Sequence, residues 1–543
     1  MSGGQQWWQT AVVYQVYLRS LADANGDGTG DIAGLRDRLG YLSDLGADAI
    51  WIAPWYSSPL ADGGYDVAEY CDVDPVFGDL DQADALIAQA HAVGIRVLLD
   101  IVPNHTSREH PWFLAAIKGD PAARARYLFR PGRGEDGDQP PNNWISHFGG
   151  PAWTRMSGPT GAPGDWYLHS FAPDQPDLDW SNPEVAADFE DVLRFWFERG
   201  VDGFRIDSAH GLIKTAGLPD LSDSPTRHGH PAWDQDGIHD IYRRWRSIAD
   251  SFRPPRIYVG EAWVDDPGRL ARYLRPDELH AVFASALIRV PFRAEALRAR
   301  IQQTLDTAEM IGSPVTWSLS NHDTVRHVTR YARPQPATSE NSAWYRRQRG
   351  TGPADLALGR IRARAATLLA LALPGTTYLY QGEELGLEEV EDLPDQLRQD
   401  PTWRQSGHTD PGRDGCRVPL PWSGDGPTLG FSPPEATSPP WLPQPEHWID
   451  CTAAAQASDS RSMLTLYRTA IWLRRDHLLD AGPVTWIDTE SDVLAFRRGR
   501  ICCYLNTGSE PIALPPGKLL LASETRAGSM LAPNTAAWLT AQS

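Results

Sequence analysis

Apolar residues along the chain gather in short β-branched or aromatic runs: Ala11–Tyr17, Asp48–Pro54, Ile95–Val102, Asp202–Asp207, Ile257–Ala262, Ala281–Leu287, Pro314–Ser320 and Thr376–Gln381. Each has the length of a buried strand. Between the runs the period changes. In Trp233–Phe252 the residues Ile238, Ile241, Trp245, Ile248 and Phe252 recur every three or four positions, which draws one apolar stripe on a helix. Pro183–Arg199 is opened by Ser181-Asn182-Pro183 as cap and first-turn proline and closed by Gly200. Eight strand-then-helix units predict an α/β fold, a parallel (β/α)8 TIM barrel, with chemistry at the strand C-termini.

Two stretches interrupt this rhythm. The larger, rich in Pro, Gly and Trp, lies between the third strand and the Pro183 helix and is too long for a plain loop, so it predicts an inserted subdomain. The smaller, Arg330 to Pro353, is polar and reads as a lid or a surface excursion. After a helical pattern at Ser460–Arg475, the runs Val484–Thr485, Val493–Arg497, Ile501–Leu505 and Lys518–Ala522 read as short strands of an antiparallel β-sandwich. The expected division is residues 1–104 and 181–478 for the barrel, 105–180 for the insertion and 479–543 for the sandwich.

Composition changes the picture mainly by exclusion. The 543 residues are 41% hydrophobic and 22% charged, with 45 Pro and 47 Gly spread along the chain, which excludes collagen-like, coiled-coil and wholly disordered classes. A net charge of −20 would repel a phosphate backbone, so nucleic acid is not an expected partner. No basic leader and no long apolar span is found, so no membrane partner is expected and the chain reads as cytoplasmic. Cys71, Cys416, Cys451, Cys502 and Cys503 form no Cys-x-x-Cys pair and suit reduced structural thiols. Oligomeric state is not legible.

Four of the predicted strands end in ionisable or amide residues: Asp100 with Asn104 and His105, Arg205 with Asp207, Glu261, and Asn321-His322-Asp323. A single such carboxylate is commonly a helix cap or a surface ion pair; four clusters at four barrel mouths point to a site. Alternation in Gly203-Phe-Arg-Ile-Asp207 puts Arg205 beside Asp207, which favours the ionised, nucleophilic carboxylate. Glu261 follows the apolar Ile-Tyr-Val-Gly, a setting that disfavours charge and keeps a proton available for a general acid. An ionised and a protonated carboxyl on neighbouring strands meet the requirement of glycoside hydrolysis, and adjacent strands favour the shorter, retaining separation of roughly 5 to 5.5 Å.

Asp-Ile-Val-Pro-Asn-His (100–105), Gly-Phe-Arg-Ile-Asp (203–207), Val-Gly-Glu-Ala (259–262) and Ser-Asn-His-Asp (320–323), in this order, resemble the four signature regions of the α-amylase superfamily. Gln-Pro-Asp-Leu (175–178) and Arg413-Asp-Gly-Cys-Arg-Val-Pro-Leu-Pro-Trp422 resemble its α-glucosidase and oligo-1,6-glucosidase branch, from about Trp8 to the C-terminal tail. The resemblance implies Asp207 as nucleophile, Glu261 as acid and then base, and Asp323 as transition-state stabiliser. It further implies that Asp62 and Arg413 close the far end of the glucose pocket, Tyr65 stacks on the sugar, His105 and His322 bind hydroxyls, and Arg205 orients Asp207. Phe148 and Phe171 fall in the insertion that covers the pocket in related enzymes.

Asp23-Ala-Asn-Gly-Asp-Gly-Thr-Gly-Asp31 alternates oxygen donors with glycines, the spacing a hard divalent ion requires. It opens like an EF-hand loop, but the twelfth position is Gly34, which leaves out the bidentate Glu. The resemblance implies one structural Ca2+ or Mg2+ here, held by Asp23, Asn25, Asp27, the Thr29 carbonyl and Asp31, and no organic cofactor. The expected function is a retaining exo-α-glucosidase acting on maltose or short malto-oligosaccharides. Transglucosylase or glucoside isomerase, α-1,6 preference, and a non-catalytic binding protein are the other readings. Ser208, small and polar after Asp207, tilts the linkage toward α-1,4; Phe283-Ala-Ser-Ala286 and Leu178-Asp179 depart from the branch's usual pattern on the aglycone side.

Overall fold

The computed structural model describes residues 6–157, 163–222, 229–283, 286–336, 353–524 and 529–541. Its centre is an eight-stranded parallel sheet: β1 Val12–Val16, β2 Ala49–Ile52, β3 Arg96–Ile101, β4 Gly203–Ile206, β5 Ile257–Gly260, β6 Ala281–Val282, β7 Thr316–Ser318 and β8 Thr376–Tyr380. They pair in the order β6-β5-β4-β3-β2-β1-β8-β7 and curl into a barrel. Among the described residues β6 and β7 are the two ends, and the Thr316 hydroxyl donates across them to the Val282 carbonyl at 2.9 Å.

Alternation along the strands divides the core. Val13, Trp51, Leu98, Val259 and Tyr378 pack inside the barrel, whereas Val12, Tyr14, Ile50, Val97, Phe204 and Tyr258 face the surrounding helices. One expected strand is much shorter than its apolar run. Beyond Val282 the chain turns, and Leu287 and Val290 are buried in the outer core from that turn. A buried apolar run does not by itself distinguish strand from turn.

The helices follow the strands: α1 Ile32–Leu45, α2 Leu80–Ala92, α3 Pro183–Glu198, α4 Ile238–Ser251, α5 Pro267–Tyr273, α6 Ala294–Ile311, α7 Leu356–Ala372 and α8 Met463–His477. As expected, Asn182 caps α3, accepting from the Glu184 amide at 2.9 Å. Helix α4 begins five residues later than the stripe from Trp233 suggests. Asp234 has φ +54°, a left-handed backbone that a right-handed helix cannot contain, so Trp233 stays in the preceding loop.

Between β3 and α3 the insertion forms two short helices, Pro111–Ile117 and Pro121–Arg124, and an antiparallel sheet of Phe129–Arg130, Trp153–Ser157 and Pro163–Leu168. An isolated bridge from His105 to Asp177 ties it to the barrel mouth. In the polar excursion, Arg330–Ala332 belong to a helix, His327–Ala332, and residues 337–352 lie outside the described residues.

The C-terminal part is antiparallel: Thr485–Ile487, Val493–Arg498, Ile501–Asn506, Thr535–Thr540 and Lys518–Ala522 pair in that order, and Ile512–Ala513 pairs with Met530–Leu531. Phe496, Cys503 and Trp538 join the barrel's core, with the Trp538 indole donating to the Leu368 carbonyl of α7 at 3.0 Å. Ala495, Tyr504 and Leu539 face the two-stranded ribbon through Leu514 and Leu531. The strand Thr535–Thr540, absent from the sequence reading, is the one that carries Trp538. Among the described residues no helix is long and apolar enough to cross a membrane.

Candidate active site

At the mouth of the barrel the organising group is Arg205. On β4, Phe204 and Ile206 face the helices, so Arg205 points inward, only 2% exposed. Its Nη1 donates to Asp207 Oδ1 at 2.7 Å and to Asp100 Oδ1 at 2.9 Å, while Nη2 lies 2.7 Å from Glu261 Oε2. One guanidinium thus binds carboxylates from three adjacent strands.

This changes two expectations. Glu261 does not sit in an apolar setting: Arg205 and the Ser208 amide (3.2 Å) hold Oε2, and the Trp263 indole donates to Oε1 at 3.2 Å. Nor does Asp207 have Arg205 to itself. Burial pushes the Asp207 carboxyl up, Arg205 opposes this, and the nearby Glu261 and Asp100 carboxylates reinforce it. Burial also lifts Asp100 to about 6 despite Arg205.

Asp323 is the opposite case. Burial would raise it, but His322, Arg413 and Arg417 outweigh burial and hold it well below the usual carboxylate range. Arg413 Nη1 and Arg417 Nη2 donate to its Oδ1 at 3.0 and 3.1 Å, and His322 Nε2 is 3.4 Å from Oδ2. The second Arg413 nitrogen, Nη2, donates to Asp62 Oδ1, and Nε donates to the buried Asp400 at 2.5 Å. Asp62 Oδ2 accepts from Gln175 at 3.0 Å. Arg413 therefore joins the floor of the site to one end of it.

Burial lowers His105 to about 4 and His322 to about 3. His105 Nε2 donates to the Tyr65 carbonyl at 3.0 Å, and the Tyr65 ring stacks on His322 with centroids 5.2 Å apart and 3° between planes. The Tyr65 hydroxyl donates to Asp100 at 2.8 Å.

These residues enclose a cavity of about 370 Å³. Asp207, Glu261 and Asp323 line it together with Asp62, Tyr65, His105, His322, Phe148, Phe171 and Arg413, so every expected substrate residue except the underlying Arg205 reaches the same space. Phe148 lies under the Arg413 guanidinium, 4.9 Å from carbon to ring centroid. Sequence reasoning missed Trp233, Trp263 and Arg289 in the cavity lining, and Arg417, Asp400 and Lys214, which bind the carboxylates around it. Arg417 stood in the quoted Arg413–Trp422 motif and Trp263 two residues after Glu261; Trp233 and Asp400 carried no local signal.

The Asp23–Asp31 loop lies apart from this cavity. Asp23 accepts from the Gly26 and Gly28 amides at 2.7 and 2.9 Å, Asp27 from Thr29 at 2.8 Å, and Asp31 from Gly34 and Ala24 at 2.6 and 3.1 Å. Its side chains offer hard oxygens throughout, a donor set suited to Ca2+ or Mg2+. Among the described residues no three His, Cys, Asp or Glu side chains converge as a metal group.

A (β/α)8 barrel whose mouth gathers three carboxylates into one cavity defines a glycosidase-class enzyme. The chain belongs to the alpha-amylase family: the model of its catalytic domain matches residues 15–482. It is 36% identical over 535 residues to a probable alpha-glucosidase of Rhizobium meliloti (strain 1021), covering 93% of this chain and 90% of that one. Among solved structures it resembles the alpha-glucosyl transfer enzyme XgtA (33% identity, TM-score 0.81, 98% and 100% of the two chains). It also resembles the trehalulose synthase MutB from Pseudomonas mesoacidophila MX-45 (29%, TM-score 0.84, 99% and 100%).

Proposed function

We propose that this chain is a retaining exo-α-glucosidase that releases glucose from the non-reducing end of α-1,4-linked maltose and short oligosaccharides. The observation that carries the reading is the single guanidinium of Arg205 binding both Asp207 and Glu261 at 2.7 Å. Two carboxylates gathered on one guanidinium suit attack by one of them while the other handles the proton. Asp207 attacks the anomeric carbon while Glu261 protonates the leaving oxygen; Glu261 then takes a proton from water, which opens the β-glucosyl-enzyme and restores the α-anomer. Asp323, kept ionised by Arg413, Arg417 and His322, stabilises the positive charge that develops on the ring. Asp62 tied to Arg413 closes one end, which suits removal of a terminal sugar.

A second reading, transfer of glucose to another sugar or alcohol, is favoured by the likeness to XgtA and MutB and by the indoles of Trp233 and Trp263 in the cavity lining. Proton NMR with maltose, isomaltose, nigerose, kojibiose, sucrose and trehalose separates the two. Early α-glucose without new linkages supports the hydrolase and ranks the bonds; new disaccharide signals make it a transferase or isomerase. Early β-glucose, or turnover by Asp207→Ala near that of the native enzyme, overturns the mechanism.

The loop Asp23, Asn25, Asp27, Thr29 and Asp31 would hold one structural Ca2+ or Mg2+ through its oxygens, away from the reacting carboxylates. Five cysteines without a disulfide suit a reducing compartment, the cytoplasm.

A further inference from the structure

Glu261 is held at both oxygens by groups of different kinds. Oε2 accepts from Arg205 and from the Ser208 amide, both fixed by β4 and the turn after it. Oε1 accepts from the Trp263 indole at 3.2 Å, and Trp263 stands in a stretch after β5 with no regular structure. Over the indole lies Arg289, whose guanidinium carbon is 4.1 Å from the ring centroid. Both side chains also line a second cavity of about 290 Å³, walled by α5 and α6. The indole is therefore a partition between two voids and not core packing. With Oε2 committed to Arg205, Oε1 is the oxygen left to meet a leaving group.

We propose that Trp263, stacked under Arg289, is a positioning residue for proton transfer: its N–H fixes Glu261 Oε1 and stabilises the carboxylate that remains once the leaving group has departed. This rests on Glu261 being the acid and base. A donor to the charged form lets the carboxyl release its proton more readily, and a nearby cation acts in the same direction. Charged or titratable groups that share the cavity mouth with Glu261 include Arg205 and Asp207 from β4, His210 after it, Asp100 from β3, and His322, Asp323 and Arg413. Arg205 is shared with Asp100 and Asp207, whereas the Trp263 N–H is aimed at Oε1.

The test is the pH dependence of kcat/KM on maltose for Trp263→Phe, Arg289→Gln and Arg289→Lys, with melting temperatures alongside. A lost hydrogen bond worth about 1 kcal/mol corresponds to an upward move of the alkaline limb by roughly 0.7 pH unit. Trp263→Phe is expected to show that move with a fall of about tenfold in kcat and little change in KM. Arg289→Gln moves the limb the same way, and Arg289→Lys recovers part of it. On α-glucosyl fluoride, whose leaving group needs no proton, the kcat defect of Trp263→Phe shrinks. A limb that stays in place in Trp263→Phe while activity falls overturns the inference; if that variant does not fold, an unmoved limb in Arg289→Gln overturns it. Glu261→Gln separates the levels: turnover that survives there defeats the acid–base reading itself, whereas its loss combined with an unmoved limb defeats only the role of Trp263.

Discussion

Arg413→Lys keeps the charge and removes the fork. In the native site three nitrogens of one guanidinium serve three carboxylates that lie far apart in sequence: Asp62, Asp323 at 3.0 Å and Asp400 at 2.5 Å. A lysine ammonium is a point charge on a flexible stem and cannot reproduce that fork. At least one of the two cavity-facing contacts is lost, and a hydrogen bond to a charged group is worth about 1.5–3 kcal/mol. That corresponds to a fall in kcat/KM on maltose of roughly ten- to a hundredfold or somewhat more. Arg417 still binds Asp323 at 3.1 Å, so the fall is expected to stop well short of the loss caused by removing Asp207. If the lysine leaves Asp400 uncompensated, stability drops by up to about 3–5 kcal/mol, read from the urea midpoint. A double-mutant cycle with Asp62→Asn isolates the pair. Retention of kcat/KM within about threefold in Arg413→Lys, or additive losses with Asp62→Asn, would refute the closed-end assignment.

Glu383 is pushed up to about 8 by burial, with Glu384 adding to the effect. A carboxyl whose folded value lies above its unfolded one contributes stability that is full below pH ~4.3 and is lost as pH rises through about 8, at ~1.4 kcal/mol per unit in between. Glu383→Gln is therefore expected to flatten the decline in melting temperature between pH 5 and 8; an unchanged decline speaks against a protonated Glu383. Exhaustive chelation is expected to lower the melting temperature while leaving low-temperature turnover largely intact. Loss of turnover in proportion, with no thermal shift, would instead make the metal catalytic.

The barrel was legible because each of its strands is buried on both sides and so reads as a continuous apolar run. What the runs could not disclose was where burial continues without a strand, as at Leu287 and Val290. Thr535–Thr540 was missed for a related reason: Ala536 and Ala537 carry little strand signal, and the turn at Asn534, with φ +60°, is not announced by a glycine. In the site, Arg205 and Asp207 were legible from alternation along four residues. The same alternation gave no sign that Arg205 is shared, because Asp100 and Glu261 arrive from other strands and only the register of β3, β4 and β5 brings them together. Asp62 and Arg413, 351 residues apart, were paired through resemblance and not through any local pattern.

The barrel's sheet has a place where it is least knitted. From β6 round to β7 each neighbour is joined by a backbone ladder, and among the described residues the remaining gap is crossed by the hydroxyl of Thr316 on the Val282 carbonyl. Val282 and Thr316 also border the cavity behind Trp263. A hoop stapled at one point yields there first under strain. Amide protons flanking that staple should therefore exchange with solvent sooner than those on the opposite arc, and thermal loosening of the scaffold would begin beside the acid's supporting wall while Asp207, two strands in from the nearer free end, is still held.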